Sequence, residues 1–268
     1  MRTVIHLSDL HFGRIHPPIL APLVAFIREI NPDVVAISGD LTQRARTAEF
    51  VAAKEFLEAI PFPQVVVPGN HDVPLHNPFA RFVRKLDRYQ RYITPDLQPV
   101  FADDEIIVAG VNTARALTWK DGRINARQLK KLRDTLNAGP RDRTRIVVTH
   151  HPFDLPAGAS GRVVGRSRFA MKTLAECNVD LLLAGHFHIA DTSQTAQRYQ
   201  LPGYSAVIVS SGTSTSTRGR GQPNSLNVIR IDGPGLTIER RVWRPDLGLF
   251  DVGSLEQFHR TDGGWIRE

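Results

Sequence analysis

Five short stretches of this 268-residue chain carry side chains that could share one chemical task. They are Asp9 with His11, Asp40, Asn70 with His71, His150, and His186 with His188. Each follows an apolar run within a residue or two. Carboxylate, imidazole and amide groups are oxygen and nitrogen donors of intermediate hardness. They suit Mn, Fe, Zn, Co or Ni better than Cu(I) or Ca. The donors are too many for one tetrahedral ion, which takes about four. Two ions about 3.5–4 Å apart, sharing one carboxylate, use them more economically. Asp40 stands alone between two groups of donors and is the expected bridge. Asn70 offers a neutral oxygen, which limits negative charge in the site. Asp9-x-His11 and His186-x-His188 each supply two donors from one turn, the second with Gly185 free to turn tightly.

The elements that must position these groups are legible in the apolar pattern. Residues 3–7 read as a strand. Leu20, Leu23, Val24, Ile27 and Ile30 recur at helical spacing after Pro17-Pro18, and Pro32 closes that helix. Residues 33–38 form the next strand. A second helix has Thr47 as its expected N-cap, Glu49 in its first turn, and Phe50, Ala53, Leu57 and Ile60 on its apolar face. A strand over 64–67 breaks at Pro68-Gly69. Strand–helix alternation indicates βαβ units and a parallel sheet. The donors would then lie on one rim of one sheet, at the carboxyl ends of its strands, where open α/β sheets bind ligands.

Residues 76–95 read as a helical cap rich in Arg and Tyr. Further strands are expected over 105–111, 145–149 and 180–184. Asn125 and Gln128 resemble a capping box ahead of Leu129, Leu132 and Leu136. Another helix is expected over 169–177. The last third is β-rich at 204–211, 226–231 and 236–242, with a Ser/Thr/Gly/Arg loop over 211–224. The tail after Pro245 has little periodicity. With no repeat and no linker composition, residues 1–268 read as one domain with two β layers and flanking helices.

Hydrophobic residues make up 41% and charged residues 23%, ordinary globular values. The single cysteine, Cys177, excludes an internal disulfide. No apolar run reaches the ~20 residues that span a bilayer, and no secretory leader is read, so a cytoplasmic protein is expected. The net charge of +7 favours anionic partners. The Arg-rich patches are interrupted, so a small or medium phosphoester is favoured over nucleic acid as partner. Oligomeric state is left open.

Asp9-x-His11, Gly39-Asp40, Gly69-Asn70-His71-Asp72, His150-x-Pro152 and Gly185-His186-x-His188 together resemble the five blocks, in order, of the calcineurin-like metallophosphoesterases. The resemblance covers residues 3–190 and points most to the bacterial cyclic-nucleotide and glycerophosphodiester phosphodiesterase branch. It implies an α/β fold, a four-layer α/β/β/α sandwich of the metallophosphoesterase type, with two ions (Mn, Fe, Zn or Co). By the resemblance, one ion takes Asp9, His11, Asp40 and His188, and the other Asp40, Asn70, His150 and His186. His150, not His151, matches the first position of the His-x-Pro block. His71 would be catalytic, facing the leaving group or phosphoryl oxygens, with Asp72 orienting it. Relatives acting on a lipid A precursor carry Arg where His71 stands, which disfavours that substrate.

The implied activity is phosphodiester hydrolysis by a metal-bridging hydroxide, on a cyclic nucleotide or glycerophosphodiester. The rivals are a phosphomonoesterase or nuclease on the same site, and a non-catalytic metal-dependent binding protein. Candidate substrate contacts are Arg44, close after Asp40, and Arg218 and Asn224 in the 211–224 loop. Trp119 is a candidate for base stacking or for packing.

Overall fold

A computed structural model describes residues 1–74, 85–115, 120–140, 142–219 and 221–268. Trp119 and the first part of the expected 76–95 cap lie outside the described residues. The chain opens with β1 (Arg2–Leu7), α1 (Leu20–Ile30), β2 (Val34–Ile37), α2 (Thr47–Glu58) and β3 (Gln64–Val66). Next come α3 (Asp87–Tyr92), β4 (Val100–Ala102), β5 (Ile106–Gly110), α4 (Ala126–Leu136), β6 (Thr144–Val148), α5 (Ser167–Glu176) and β7 (Leu181–Ala184). The last third holds β8 (Asp191–Gln194), β9 (Val207–Ser210), β10 (Ser225–Asp232), β11 (Gly235–Arg244), β12 (Leu249–Thr261) and β13 (Gly264–Arg267).

Local chemistry sets the helix ends. Asn31, at φ 50°, ends α1 in the left-handed region, where Asn is tolerated. The capping box before α4 is present: Asn125 Oδ1 accepts from Gln128 N–H at 2.9 Å, and Gln128 Oε1 accepts from Asn125 N–H at 3.2 Å. Thr47 is the first residue of α2 and Arg46 is its N-cap, one residue earlier than expected. Glu49 explains the shift, because its Oε2 accepts from the N–H of both Arg44 (2.8 Å) and Arg46 (3.2 Å).

The strands form two sheets. One has seven strands in the order β13-β12-β11-β10-β1-β2-β3; the other has six, β4-β5-β6-β7-β9-β8. Period-2 alternation sends Val4, Val34, Ala36 and Val65 of the first sheet against Val108, Val148, Leu183 and Val209 of the second. The opposite face of the first sheet, with Ile5, Leu7 and Ile37, packs on Leu23 and Ile27 of α1 and Phe50 and Ala53 of α2. The outer face of the second, with Val147 and Leu182, packs on Leu129 and Leu132 of α4 and Met171 and Leu174 of α5. The result is four layers, α/β/β/α.

Two expectations are corrected. The donors do not lie on one rim of one sheet: β1, β2 and β3 belong to one sheet, and β6 and β7 to the other. The tail after Pro245 is not structureless, since it supplies β12 and β13. Its alternation is hidden by a register shift: Arg240 pairs with Ser254 but Arg241 with Val252, leaving Gly253 as an extra residue. Edge strand β8 was missed because Asp191–Gln194 is polar and half-buried throughout.

The tail is fastened into the inter-sheet core. Trp265 is 1% exposed, and its Nε1–H donates to Asp180 Oδ1 at 2.9 Å. Arg260 reaches the same oxygen at 2.7 Å. Trp265→Ala is expected to lower unfolding stability by about 3–5 kcal/mol in urea titration. Leu255→Ala, on the exposed side of β12, should change it by no more than about 0.5 kcal/mol. Equal midpoints for the two variants would remove the tail from the core.

Candidate metal centre

The donors of both sheets meet at the carboxyl ends of β1, β2, β3, β6 and β7. Five of them leave their strands through a sharply turned backbone. Asp9 (φ 52°), His11 (φ 49°), Asp40 (φ 53°), His186 (φ 78°) and His188 (φ 58°) are all in the left-handed region, which non-glycine residues rarely adopt. Two glycines let these turns approach. A Cβ on Gly69 would strike Asp40, and one on Gly185 would strike Ser8 and Asp9.

Two clusters result. Asp9 Oδ1 lies 3.6 Å from His11 Nε2 and 3.4 Å from His188 Nε2, and the two ring nitrogens are 3.3 Å apart. In the other cluster, His150 Nε2 lies 3.1 Å from Asn70 Oδ1 and 3.3 Å from His186 Nδ1. Asp40 Oδ2 faces both clusters, 3.7 Å from His11 Nε2 and 3.3 Å from His150 Nε2. Asp40 Oδ1 is taken by His71 N–H at 2.8 Å. Asp9, His11 and His188 bring ligand atoms within 4.8 Å of one another, as do Asp9, Asp40 and His150.

These residues fit bound cations. Asp9 Oδ1 is buried and accepts no hydrogen bond. Neutral imidazole nitrogens facing each other at 3.3 Å can share at most one proton between them. A cation between such lone pairs and the carboxylates resolves the conflict. His150 is already oriented for this, with Nδ1 held 2.8 Å from Ser38 O, which leaves Nε2 toward the cluster.

Electrostatics follow the same geometry. Burial works to raise the Asp9 and Asp40 carboxyls, but neighbouring imidazoles outweigh it and hold both below the usual carboxylate range. Burial works to lower His150, but Asp40 and Asp9 bring it up to about 9. His186 is brought down to about 3 by burial and by His150.

His71 sits beside the centre rather than in it. Its Nδ1 is 2.8 Å from Gln43 O, and its Nε2 is 3.0 Å from Arg218 Nη1. Since guanidinium only donates, Nε2 accepts, and the proton on the ring is at Nδ1. Asp72 does not orient His71, contrary to expectation. Its carboxylate accepts from the N–H of Gly69 (2.9 Å), Leu41 (3.2 Å) and Thr42 (2.9 Å) and from Thr42 Oγ1 (2.9 Å). Burial and then Asp40 push Asp72 up to about 6, against those hydrogen bonds.

A cavity of about 300 Å³ opens onto the centre, reaching Asp40, Asn70, His186 and His188. His71 and Arg218 line one part of it, and Lys120, Asp121, Arg162 and Phe187 another. Of the three expected substrate contacts only Arg218 lines it. Arg44 is exposed, with its backbone N–H on Glu49. Asn224 is turned away, donating to Ser216 O at 2.9 Å and Thr213 O at 3.3 Å. The buried His151 had no signal beyond adjoining His150, and Lys120 and Arg162, outside every block, had none. Among the described residues, no helix is long and apolar enough to cross a membrane.

The Calcineurin-like phosphoesterase family model matches residues 2–190. The glycerophosphodiester phosphodiesterase GpdQ of Enterobacter lignolyticus is 26% identical over 175 residues, 57% of each chain. A probable cyclic nucleotide phosphodiesterase of Synechococcus is 23% identical over 201 residues, 70% of this chain and 74% of that one. The chain thus spans little more than half of the GpdQ relative's length. In fold it is similar to purple acid phosphatase PPD1 from yellow lupin, with TM-score 0.68 and 14% identity over 90% of this chain and 51% of that one. It is also similar to GAP50, the anchor in the inner membrane complex of Plasmodium, with TM-score 0.61 and 13% identity over 96% of this chain and 88% of that one. A family match across the donor-bearing strands, set on this two-sheet frame, makes the chain a member of the calcineurin-like phosphoesterase family.

Proposed function

We propose that the chain hydrolyses a small phosphodiester, of the cyclic-nucleotide or glycerophosphodiester kind, with two divalent or mixed-valence transition-metal ions. The observation that carries this reading is Asp40 Oδ2, placed 3.7 Å from His11 Nε2 and 3.3 Å from His150 Nε2. Asp9, His11, Asp40 and His188 would hold one ion; Asp40, Asn70, His150 and His186 would hold the other. When bound, such a pair supplies Lewis acidity at the phosphoryl oxygens and lowers the pKa of water toward neutrality.

The chain's own residues do the rest. Arg218 projects a guanidinium into the cavity, where it can donate to a phosphoryl oxygen or to the developing charge on the leaving group. His71 positions that guanidinium by accepting from Nη1, while Gln43 holds the ring from behind. Burial, partly offset by Asp40, lowers the His71 imidazole, which keeps the ring in this accepting, neutral form. Diester hydrolysis is favoured over the monoester because both curated relatives described above carry phosphodiesterase names. Residues 1–268 would act as one unit, since donors from both sheets are needed.

Three measurements test this reading. Mn-loaded protein should turn over bis(p-nitrophenyl) phosphate with kcat/KM at least about tenfold above that for the monoester. The reverse order would reassign it to monoesters, and failure on every ester would leave a binding protein. Asp40→Ala should lose metal from both positions by elemental analysis, and full stoichiometry in that variant would end the bridging role. His71→Ala, by releasing the Arg218 donor, should lower kcat by up to about 10²–10³ with metal content intact. Loss of both metals in that variant would make His71 part of the metal cage.

A further inference from the structure

One buried imidazole next to the centre has no task in the mechanism above. His151 is 2% exposed and does not line the cavity. Its backbone N–H donates to Thr113 Oγ1 at 3.3 Å, and its Nδ1 lies 2.8 Å from the same hydroxyl. Nδ1 is therefore engaged, and Nε2 is the nitrogen left over. Nε2 is buried and makes no hydrogen bond. Leaving such a group unpaired is unfavourable, because it gives up its hydrogen bonds to water and gains none. The ring centroid lies 4.6 Å from that of His186 and 4.8 Å from that of His150. One ring nitrogen from each of His150, His151 and His186 falls within 4.8 Å of the other two.

We infer that His151 is a further ligand, through Nε2, of the ion on the Asn70 side. The inference rests on the binuclear reading given above. It makes the two positions chemically unequal. The Asp9 position has two imidazoles and two carboxylates. The Asn70 position has three imidazoles, one amide oxygen and one carboxylate. Nitrogen donors favour Zn, Co, Ni or Fe, while oxygen donors suit Mn, so the positions should differ in the metal they prefer. Thr113 plays the part usual behind a ligating histidine, fixing the ring through the other nitrogen. The rival role for the ring is as an N–H donor to the backbone of Lys120.

Proton NMR of the full chain loaded with Co²⁺ separates these roles. A histidine bound to Co²⁺ shows a strongly shifted, exchangeable signal from the N–H of its other ring nitrogen. The expected spectrum has one such signal from each of His11, His150, His151, His186 and His188. His151→Ala should lose one signal and keep the others, with two Co²⁺ still bound by elemental analysis. Competition should show the Asn70-side ion weakened about 10–100-fold in that variant, more for Co²⁺ than for Mn²⁺. If the variant does not fold, the count in the unmodified protein decides. Two bound Co²⁺ with no His151 signal would overturn this inference and leave the binuclear reading standing. Failure to bind Co²⁺ at all would overturn both.

Discussion

A buried carboxylate joins the two sheets. Asp40 is 1% exposed, so water solvates its charge poorly. A carboxylate in that position must find hydrogen bonds or positive charge nearby. Its Oδ1 takes the His71 amide, after β3 in its own sheet, at 2.8 Å. Its Oδ2 faces His11, after β1, and His150, after β6 in the opposite sheet, at 3.7 and 3.3 Å. The spacing and register of the sheets are thus tied to what Asp40 needs. The aliphatic layer between them, including Val4, Val34, Val148 and Leu183, sets that spacing from below. Toward the site this core turns polar. His6 Nε2 lies 2.9 Å from Ser38 Oγ, and Ser38 O in turn fixes His150 Nδ1 at 2.8 Å.

The loops around the centre solve a second problem. Backbone in left-handed turns leaves the sheet ladder, and its buried N–H and C=O groups need other partners. The 211–224 loop supplies them. Thr213 Oγ1 donates to Asp9 O at 2.7 Å, Thr215 Oγ1 to Leu10 O at 2.7 Å, and Ser214 Oγ accepts from Ser8 N–H at 3.1 Å. This explains the Ser/Thr composition of the loop: its hydroxyls are short side chains that complete the hydrogen bonding of the β1 turn. Asp72 does the same for the turns after β2 and β3. Both devices hold the donors in place without entering the cavity, and the loop also carries Arg218 to its rim.

Much of this was legible from residue types at strand ends. An apolar run that stops and at once presents Asp, His or Asn is a local pattern, and β1, β2, β3, β6 and β7 each show it. The partition of those strands between two sheets was not local. Nothing in the apolar runs distinguishes β3 from β6, because all are buried on both faces. Polar side chains near a block were legible only as candidates. Arg44 lies four residues after Asp40, yet the Glu49 carboxylate that accepts its backbone N–H belongs to the capping of α2. Asn224 lies in the right loop but donates to that loop's own carbonyls. His151 adjoins His150 in the chain, and only the fold shows its Nε2 without a partner.

The turned backbone at the donors is a cost that the rest of the molecule must offset. Asp9, His11, Asp40, His186 and His188 each hold positive φ, at about 1–3 kcal/mol apiece for a residue with a side chain. Together that approaches the whole net stability of a typical domain, about 5–15 kcal/mol. In an extended strand, residues two apart project in parallel and stay roughly 6–7 Å apart. The left-handed turns let Asp9 and His11 converge instead, and let His186 and His188 reach the two separate clusters. The strain is held by backbone bonds between the turns themselves: Asp9 N–H to Gly39 O at 3.1 Å, His11 N–H to Asp40 O at 2.9 Å and Phe12 N–H to Leu41 O at 2.8 Å. Since those bonds join protein to protein, the converged geometry belongs to the fold itself. Ions would enter a site already shaped, and their binding free energy would go into affinity and stability rather than into bending the chain.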